Sequence, residues 1–190
     1  MTHSKLERLR ERLVTHAPER ATGPGRIEAA VAIVLVPTGT HDLELLFIKR
    51  AEEPGDPWSG QMALPGGRRE EGDPDLFTTA TRETYEETHV ALPQESLLGE
   101  LDDLAPVTPV LPPVVVRPFV FGLEEKPPIT PSREVALHVW TSLGELGRKA
   151  AESRVTVRGV ELTVPSYRIG PHVVWGMTHR IISRFIDLTR

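Results

Sequence analysis

Cysteine is absent from the 190-residue chain. Disulfide bridges and thiolate chemistry are thereby excluded. The absence fits a cytosolic compartment. Long apolar runs are missing too. The longest, AAVAIVLVP over Ala29–Pro37, falls far short of the roughly 20 residues a bilayer-spanning helix needs. It is β-branched and reads as a buried strand. Positive charge is not in excess: 22 Lys and Arg against 27 Asp and Glu give a net charge of −5. That balance offers no general basic surface for nucleic acid. The opening MTHSKLERLRERL is charged from its start and has no signal-peptide core, so the expectation is a cytoplasmic protein with no membrane partner. No internal repeat, low-complexity tract, Walker loop, Ser-His-Asp signature or zinc spacing is found.

What is present describes an ordinary globular chain. Hydrophobic residues make up 39% and charged residues 26%, enough for a full core in one domain spanning 1–190. Leu6, Leu9 and Leu13 recur at helical spacing, which predicts an amphipathic helix over 4–16 that extends the domain. It would either cover the sheet or make a dimer contact. Two strands, Ala29–Val36 and LELLFIKRA, flank a PTGTHD turn and predict a hairpin. A short strand QMAL follows. Further strands are read in VVVRPFVFGL and VALHVWTSL, a hairpin in VTVRGVELTVPSYRIG, and a closing helix in VVWGMTHRIISRFIDL. Strands, helix, strands, helix in that order predict an α+β fold: a mixed β-sheet sandwiched between helices.

The chemically suggestive segment is GGRREEGDPDLFTTATRETYEET, Gly66–Thr88. Asp73-Pro74 has the chemistry of a helix start, and the helix is predicted to run to about Thr88. Glu83, Glu86 and Glu87 then fall on one side of it, within about 100° of arc. Like charges at i, i+4 cost only a few tenths of a kcal/mol, so a solvated acidic face is one reading. A hard-cation site is the other, since carboxylate oxygens suit Mg²⁺ or Mn²⁺ shared with substrate phosphates. The preceding Gly66 and Gly67 permit a sharp turn and close backbone approach. Arg82 can pair with an acid of the loop and hold loop and helix in register.

These residues resemble the Nudix box, G-x5-E-x7-R-E-U-x-E-E-x-G-U with U apolar, matched by Arg82, Glu83, Glu86, Glu87 and Val90 with Gly66 and Gly67 upstream. The resemblance implies an α/β/α sandwich and an enzyme that hydrolyses nucleoside diphosphate derivatives with bound divalent metal. Three departures stand out. The spacing from Gly67 to Arg82 is one residue longer, so the first acid falls at Pro74, and Asp73 either replaces it or caps the helix. Thr84 stands where an apolar residue is usual. His89 stands where glycine is usual, as a cation at the helix C-terminus or as a substrate contact. LLFIKRA followed by GQMALPGG, and the tail YRIGPHVVWGMTHRII, further resemble the coenzyme A pyrophosphatase branch of that family. The arginine that branch has between Ala51 and Gly60 is missing here. Coenzyme A or acyl-CoA is the substrate implied. ADP-ribose, dinucleoside polyphosphates, (d)NTPs and a non-catalytic nucleotide-binding domain are the alternatives.

Outside the box, Glu134 ends a proline-rich loop and is a candidate proton acceptor from the attacking water; Glu83 is the other. Arg50, with Lys49, and Arg68 are candidate phosphate contacts. Trp58, in a Pro/Gly loop, is a candidate stacking surface for adenine. Trp140 and Trp175 read as core, and His138 as a strand histidine. The expected partner is a small nucleotide-type substrate, and the expected state a monomer or homodimer.

Overall fold

A computed structural model describes residues 5–21, 25–38, 42–56, 58–106, 113–148, 150–157 and 159–189. The turns expected at 22–25 and 37–42, and the proline-rich loop at 105–113, lie partly outside the described residues.

The main sheet is organised on β1 (Ile27–Pro37). One edge of β1 pairs in parallel with β6 (Val114–Gly122). The other edge pairs antiparallel with two strands in turn, β4 (Gly66–Arg68) and β2 (Leu43–Arg50). β1 and β2 share only Leu35–Pro37 against Leu43–Leu45 and then part. The short β3 (Met62–Ala63) follows β2 at Ile48 and Lys49, so β3 and β4 fill the split. β5 (Leu97–Glu100) lies beyond β6, and β7 (Val135–Ser142) takes the far edge of β2. The hairpin expected from the first two strands is present, and the sheet is mixed.

A strand buried on both faces needs apolar side chains at every position, not at alternate ones. β1 meets that demand: Ala30, Ala32 and Val34 face one layer, Ile33 and Leu35 the other, all fully buried. The first layer is α2 (Leu76–Thr88), through Leu76 and Ala80. The second holds α1 (Lys5–Thr15) and α4 (Gly176–Thr189), through Leu9, Leu13, Ile182 and Phe185. Helix α1 covers the sheet: a Cβ on Gly99 of β5 would lie 2.7 Å from Leu13 Cβ. The fold is thus α+β, with a mixed sheet between helical layers. No helix among the described residues is long and apolar enough to cross a membrane.

Several local expectations are corrected. Helix α2 starts at Leu76, not at Asp73-Pro74, and its N-cap is Asp75, which accepts from Thr78 N at 2.7 Å. Asp73 is engaged elsewhere, by Arg82. Val173–Trp175, expected in the closing helix, form β10 (His172–Trp175) instead. There they pair with β9 (Val160–Ile169), which in turn pairs with β8 (Ala150–Val157) in a separate three-stranded sheet. A short helix, α3 (Leu143–Arg148), follows β7. Trp140 and Trp175, expected in the core, are half-buried; Trp140 lies at the rim, with the Lys126 ammonium 5.7 Å from its ring centre.

Leu13 is 3% exposed. Leu13→Ala is expected to cost about 2–5 kcal/mol, lowering Tm by roughly 2–4 °C per kcal/mol. A thermal melt that shifts by less than one such step would show that α1 is not part of the core.

Candidate active site

The split in the sheet brings β4 under α2, and little separates them. Gly66 has φ 146°, and a Cβ there would lie 2.3 Å from the Ala30 carbonyl oxygen and 2.6 Å from Val31 Cα. Only glycine fits that backbone. At Gly67 the obstacle is different. Its φ is ordinary, but a Cβ would lie 2.4–2.6 Å from the Glu83 carboxylate. The two glycines therefore make a floor on which two carboxylates of α2 lie directly. Gly66 N donates to Glu87 Oε2 at 2.8 Å.

Glu87 is 4% exposed, so it is not the surface residue that an acidic helix face suggests. Its carboxyl is pushed up to about 8, first by burial and then by the nearby charges of Glu83 and Glu134, against the opposing pull of the Gly66 N–H and Arg50. Glu83 is also raised, mainly by burial, with Arg82 opposing. Glu86 behaves differently: its side chain is 56% exposed and accepts from Arg82 Nη1 at 3.1 Å. The structure thus brings Glu83 and Glu87 together and leaves Glu86 at the rim. Among the described residues no group of three or more His, Cys, Asp or Glu side chains closes into a metal cage. The donor chemistry still fits a hard cation. Two adjacent, desolvated carboxylates are unfavourable without a counter-charge, and Mg²⁺ keeps several waters and substrate oxygens rather than demanding an all-protein cage.

Arg82 organises the loop before the helix. Its Nε and Nη2 donate to Asp73 at 3.0 and 2.9 Å, Nη2 also reaches the Arg68 carbonyl at 3.1 Å, and Nη1 reaches Glu83 at 3.1 Å. Asp73 is 5% exposed and also accepts from Thr79 Oγ1 and Glu70 N. The Arg82 guanidinium holds its carboxyl well below the usual range. Asp73 is therefore not the helix cap but the anchor of Arg82. Thr84, in an apolar position, is fully buried and satisfied by donating to the Ala80 carbonyl at 2.7 Å.

Three other segments border the glutamates. Arg50 donates from Nε and Nη2 to Asp56 at 3.2 and 3.0 Å, which leaves Nη1 3.9 Å from Glu87 Oε1. Asp56 also accepts from Trp58 N at 3.0 Å. This orienting acid escaped the sequence reading, although a lone acid between two prolines in EEPGDPWSG was its signal. The Arg68 guanidinium lies 6.0 Å from the Trp58 ring centre, so the structure brings these two together. Glu134 is exposed, but its backbone is held: its carbonyl accepts from Ala51 N at 2.8 Å, and Ser132 N and Thr130 N donate to the Glu87 and Thr88 carbonyls. His89 caps α2 in the left-handed conformation, φ 58°, with Nδ1 2.8 Å from the Thr130 carbonyl. It fastens a loop, a role that neither sequence alternative named.

Two contrasts test this geometry. Gly66→Ala is expected to lower Tm and activity together, since its Cβ meets backbone that cannot yield; the strain alone costs about 1–3 kcal/mol. Gly67→Ala meets only a side-chain carboxylate, so the fold should survive while turnover drops about 100-fold from the displaced Glu83. Equal melting losses in both variants would contradict the distinction. Arg82→Ala leaves the Asp73 charge buried and unpaired, which is expected to cost roughly 3–5 kcal/mol. Urea unfolding should show Asp73→Asn recovering most of that loss in the Arg82→Ala background.

The family model that matches is the NUDIX domain, over residues 26–159, more than half of the chain. An uncharacterized protein of Schizosaccharomyces pombe is 32% identical over 65% of this chain, which spans only 40% of that relative's length. The mitochondrial coenzyme A diphosphatase NUDT8 of Homo sapiens is 31% identical over 87% of this chain and 71% of its own. Among solved structures, a MutT/nudix family protein from Enterococcus faecalis superposes with a TM-score of 0.61 at 19% identity, over 98% of this chain and 76% of its own. With the box residues assembled on α2 and its glycine floor, and with that match, the chain belongs to the NUDIX family of hydrolases.

Proposed function

We propose that the protein is a Mg²⁺- or Mn²⁺-dependent pyrophosphohydrolase whose leading substrate is coenzyme A or an acyl derivative. The observation that carries the reading is the buried Glu87, raised to about 8 beside Glu83 on the glycine floor. Stability alone gives no reason to bury that pair. Glu83 and Glu87, with Glu86 at the rim, would hold the cation, which when bound neutralises diphosphate charge and makes a water more acidic.

The chain's own groups prepare the rest. The Gly66 N–H fixes Glu87, and Arg82 fixes Glu83. Arg50, aimed by Asp56, carries a guanidinium edge toward the substrate phosphates. Glu134 is the proposed proton acceptor, supported by its electrostatic influence on Glu87. Water oxygen attacks one phosphorus, the bridging P–O bond breaks, and two phosphate monoesters leave. From coenzyme A these are phosphopantetheine and adenosine 3′,5′-bisphosphate. Trp58, with Arg68 against its ring, is the proposed surface for the adenine end. The whole chain acts as one domain in this reading, with α1 packed on the common core. The likeness to the human coenzyme A diphosphatase supports the substrate class. The missing arginine between Ala51 and Gly60 argues for relaxed choice, because a guanidinium is the natural partner of a terminal phosphate monoester.

Glu87 titrates near pH 8 when folded, against an ordinary value of 4.5. Between those values the folded protein keeps a proton that the unfolded chain has lost. The contribution is therefore fully present below about pH 4.5 and is lost as pH rises toward about 8, at about 1.4 kcal/mol per unit. In chelator, Glu87→Gln is expected to flatten this slope and raise Tm at pH 8, while cutting Mg²⁺-dependent turnover at least about 100-fold. Near-normal turnover would remove Glu87 from the metal site.

The substrate reading is tested on a panel of coenzyme A, dephospho-coenzyme A, ADP-ribose, diadenosine polyphosphates and nucleoside triphosphates under one metal condition. Coenzyme A and dephospho-coenzyme A are expected within about tenfold of each other, the effect of losing one contact of roughly 1.4 kcal/mol. No cleavage of coenzyme A overturns the substrate and leaves the metal site standing.

A further inference from the structure

The second sheet ends in a ribbon that the active site does not use. β8 and β9 pair without interruption from Ala150↔Tyr167 to Val157↔Val160, and Gly159 makes the turn at φ 80°. Residues directly opposite one another share a face. One face therefore carries Ser153 with Val164, Val155 with Leu162, and Val157 with Val160; the other carries Glu152, Arg154, Thr156, Glu161 and Thr163. At its base the first face is buried, with Ser153 at 5% and Ser166 at 0% exposure. Toward the tip it opens, until Leu162 is 44% and Val160 58% exposed. A two-stranded ribbon is marginal by itself, and further strands paired to its edge stabilise it.

The outer edge shows what fits. β9 lies between β10 and β8, so β8 is one of the two terminal strands of this sheet. Terminal strands are commonly blunted by a bulge, a proline or charged side chains. β8, AAESRVTV, has neither bulge nor proline, its register with β9 shows no shift, and its two charges, Glu152 and Arg154, are of opposite sign. The sequence of β8 is also complementary to itself. In an antiparallel pairing centred on Ser153, Glu152 faces Arg154 of the second copy and Ala151 faces Val155, each contact occurring twice, as a two-fold axis requires. Glu152, Arg154 and Thr156 are exposed.

We propose that β8 is a dimerisation edge, on which a second copy of this chain pairs antiparallel about Ser153 and joins the two small sheets into one, with the apolar faces of the two ribbons side by side. The proposal is independent of the catalytic reading, because no residue of β8 or β9 belongs to the site described above.

Sedimentation equilibrium of the full chain from micromolar to near-millimolar concentration tests it. The wild type should dimerise reversibly. Arg154→Glu places two carboxylates opposite each other across the axis and should weaken the dimer at least about tenfold, as should Glu152→Arg, since like charges directly opposite are destabilising. The double variant E152R/R154E restores the opposite-charge pairs and should return to within about threefold of wild type. As a check that needs no variant, amide hydrogen exchange in β8 should slow with rising wild-type concentration. A monomer at every concentration, a dimer indifferent to R154E, or a double variant as weak as either single one would overturn the proposal. So would exchange in β8 that does not depend on concentration.

Discussion

Everything at the site depends on how closely α2 can approach β4. Side chains on a strand under a helix normally hold the two about a side-chain length apart. Here the strand presents Gly66 and Gly67: the Glu83 carboxylate occupies the space a Gly67 side chain would have taken, and Glu87 accepts from the Gly66 N–H. That approach desolvates Glu87 and raises its carboxyl. It is possible only because β1 and β2 part after three pairs and leave room for β3 and β4 between them.

The electrostatics around this contact divide into two kinds. Asp73 and Arg82 form a pair that lowers one carboxyl and is satisfied on several sides, and it holds the loop to the helix. Glu83 and Glu87 are raised by burial, Glu83 although it accepts from Arg82 Nη1 at 3.1 Å, and Glu87 although it accepts from the Gly66 N–H. Arg82 thus joins the two kinds: it neutralises Asp73 in the loop and reaches Glu83 beside it on the helix. The opposition is consistent with sites that hold unfavourable groups in return for function.

The flanking loops reach the site through backbone bonds. Thr130 and Ser132 donate to the last carbonyls of α2, which a helix end leaves without internal partners, and so carry Glu134 to the neighbourhood of Glu87. His89 accepts a left-handed conformation that glycine would adopt more easily, and its ring fastens the same loop. Helix end, loop and β2 are thereby joined without a large side-chain contact.

The sequence by itself determined the parts whose cause is local. The β-branched run in β1, the leucine spacing of α1, the alternation of strands and helices, and the placement of Glu83, Glu86 and Glu87 on one side of a helix follow from periodicity and residue type. The resemblance to the box added the family. Tertiary structure decided what depends on partners far apart in the chain. Asp75 displaced Asp73 as the cap because Arg82, nine residues on, claimed Asp73. Val173–Trp175 became a strand because β9 offered them a free edge, which overrides helical patterning. Gly66 rather than Gly67 took the positive φ because Ala30 and Val31 lie beneath it. Burial separated three chemically identical glutamates into one buried, one half-buried and one exposed. A one-dimensional pattern can place carboxylates on a helix face, but desolvation is set by what packs against that face, and only the folded chain supplies it.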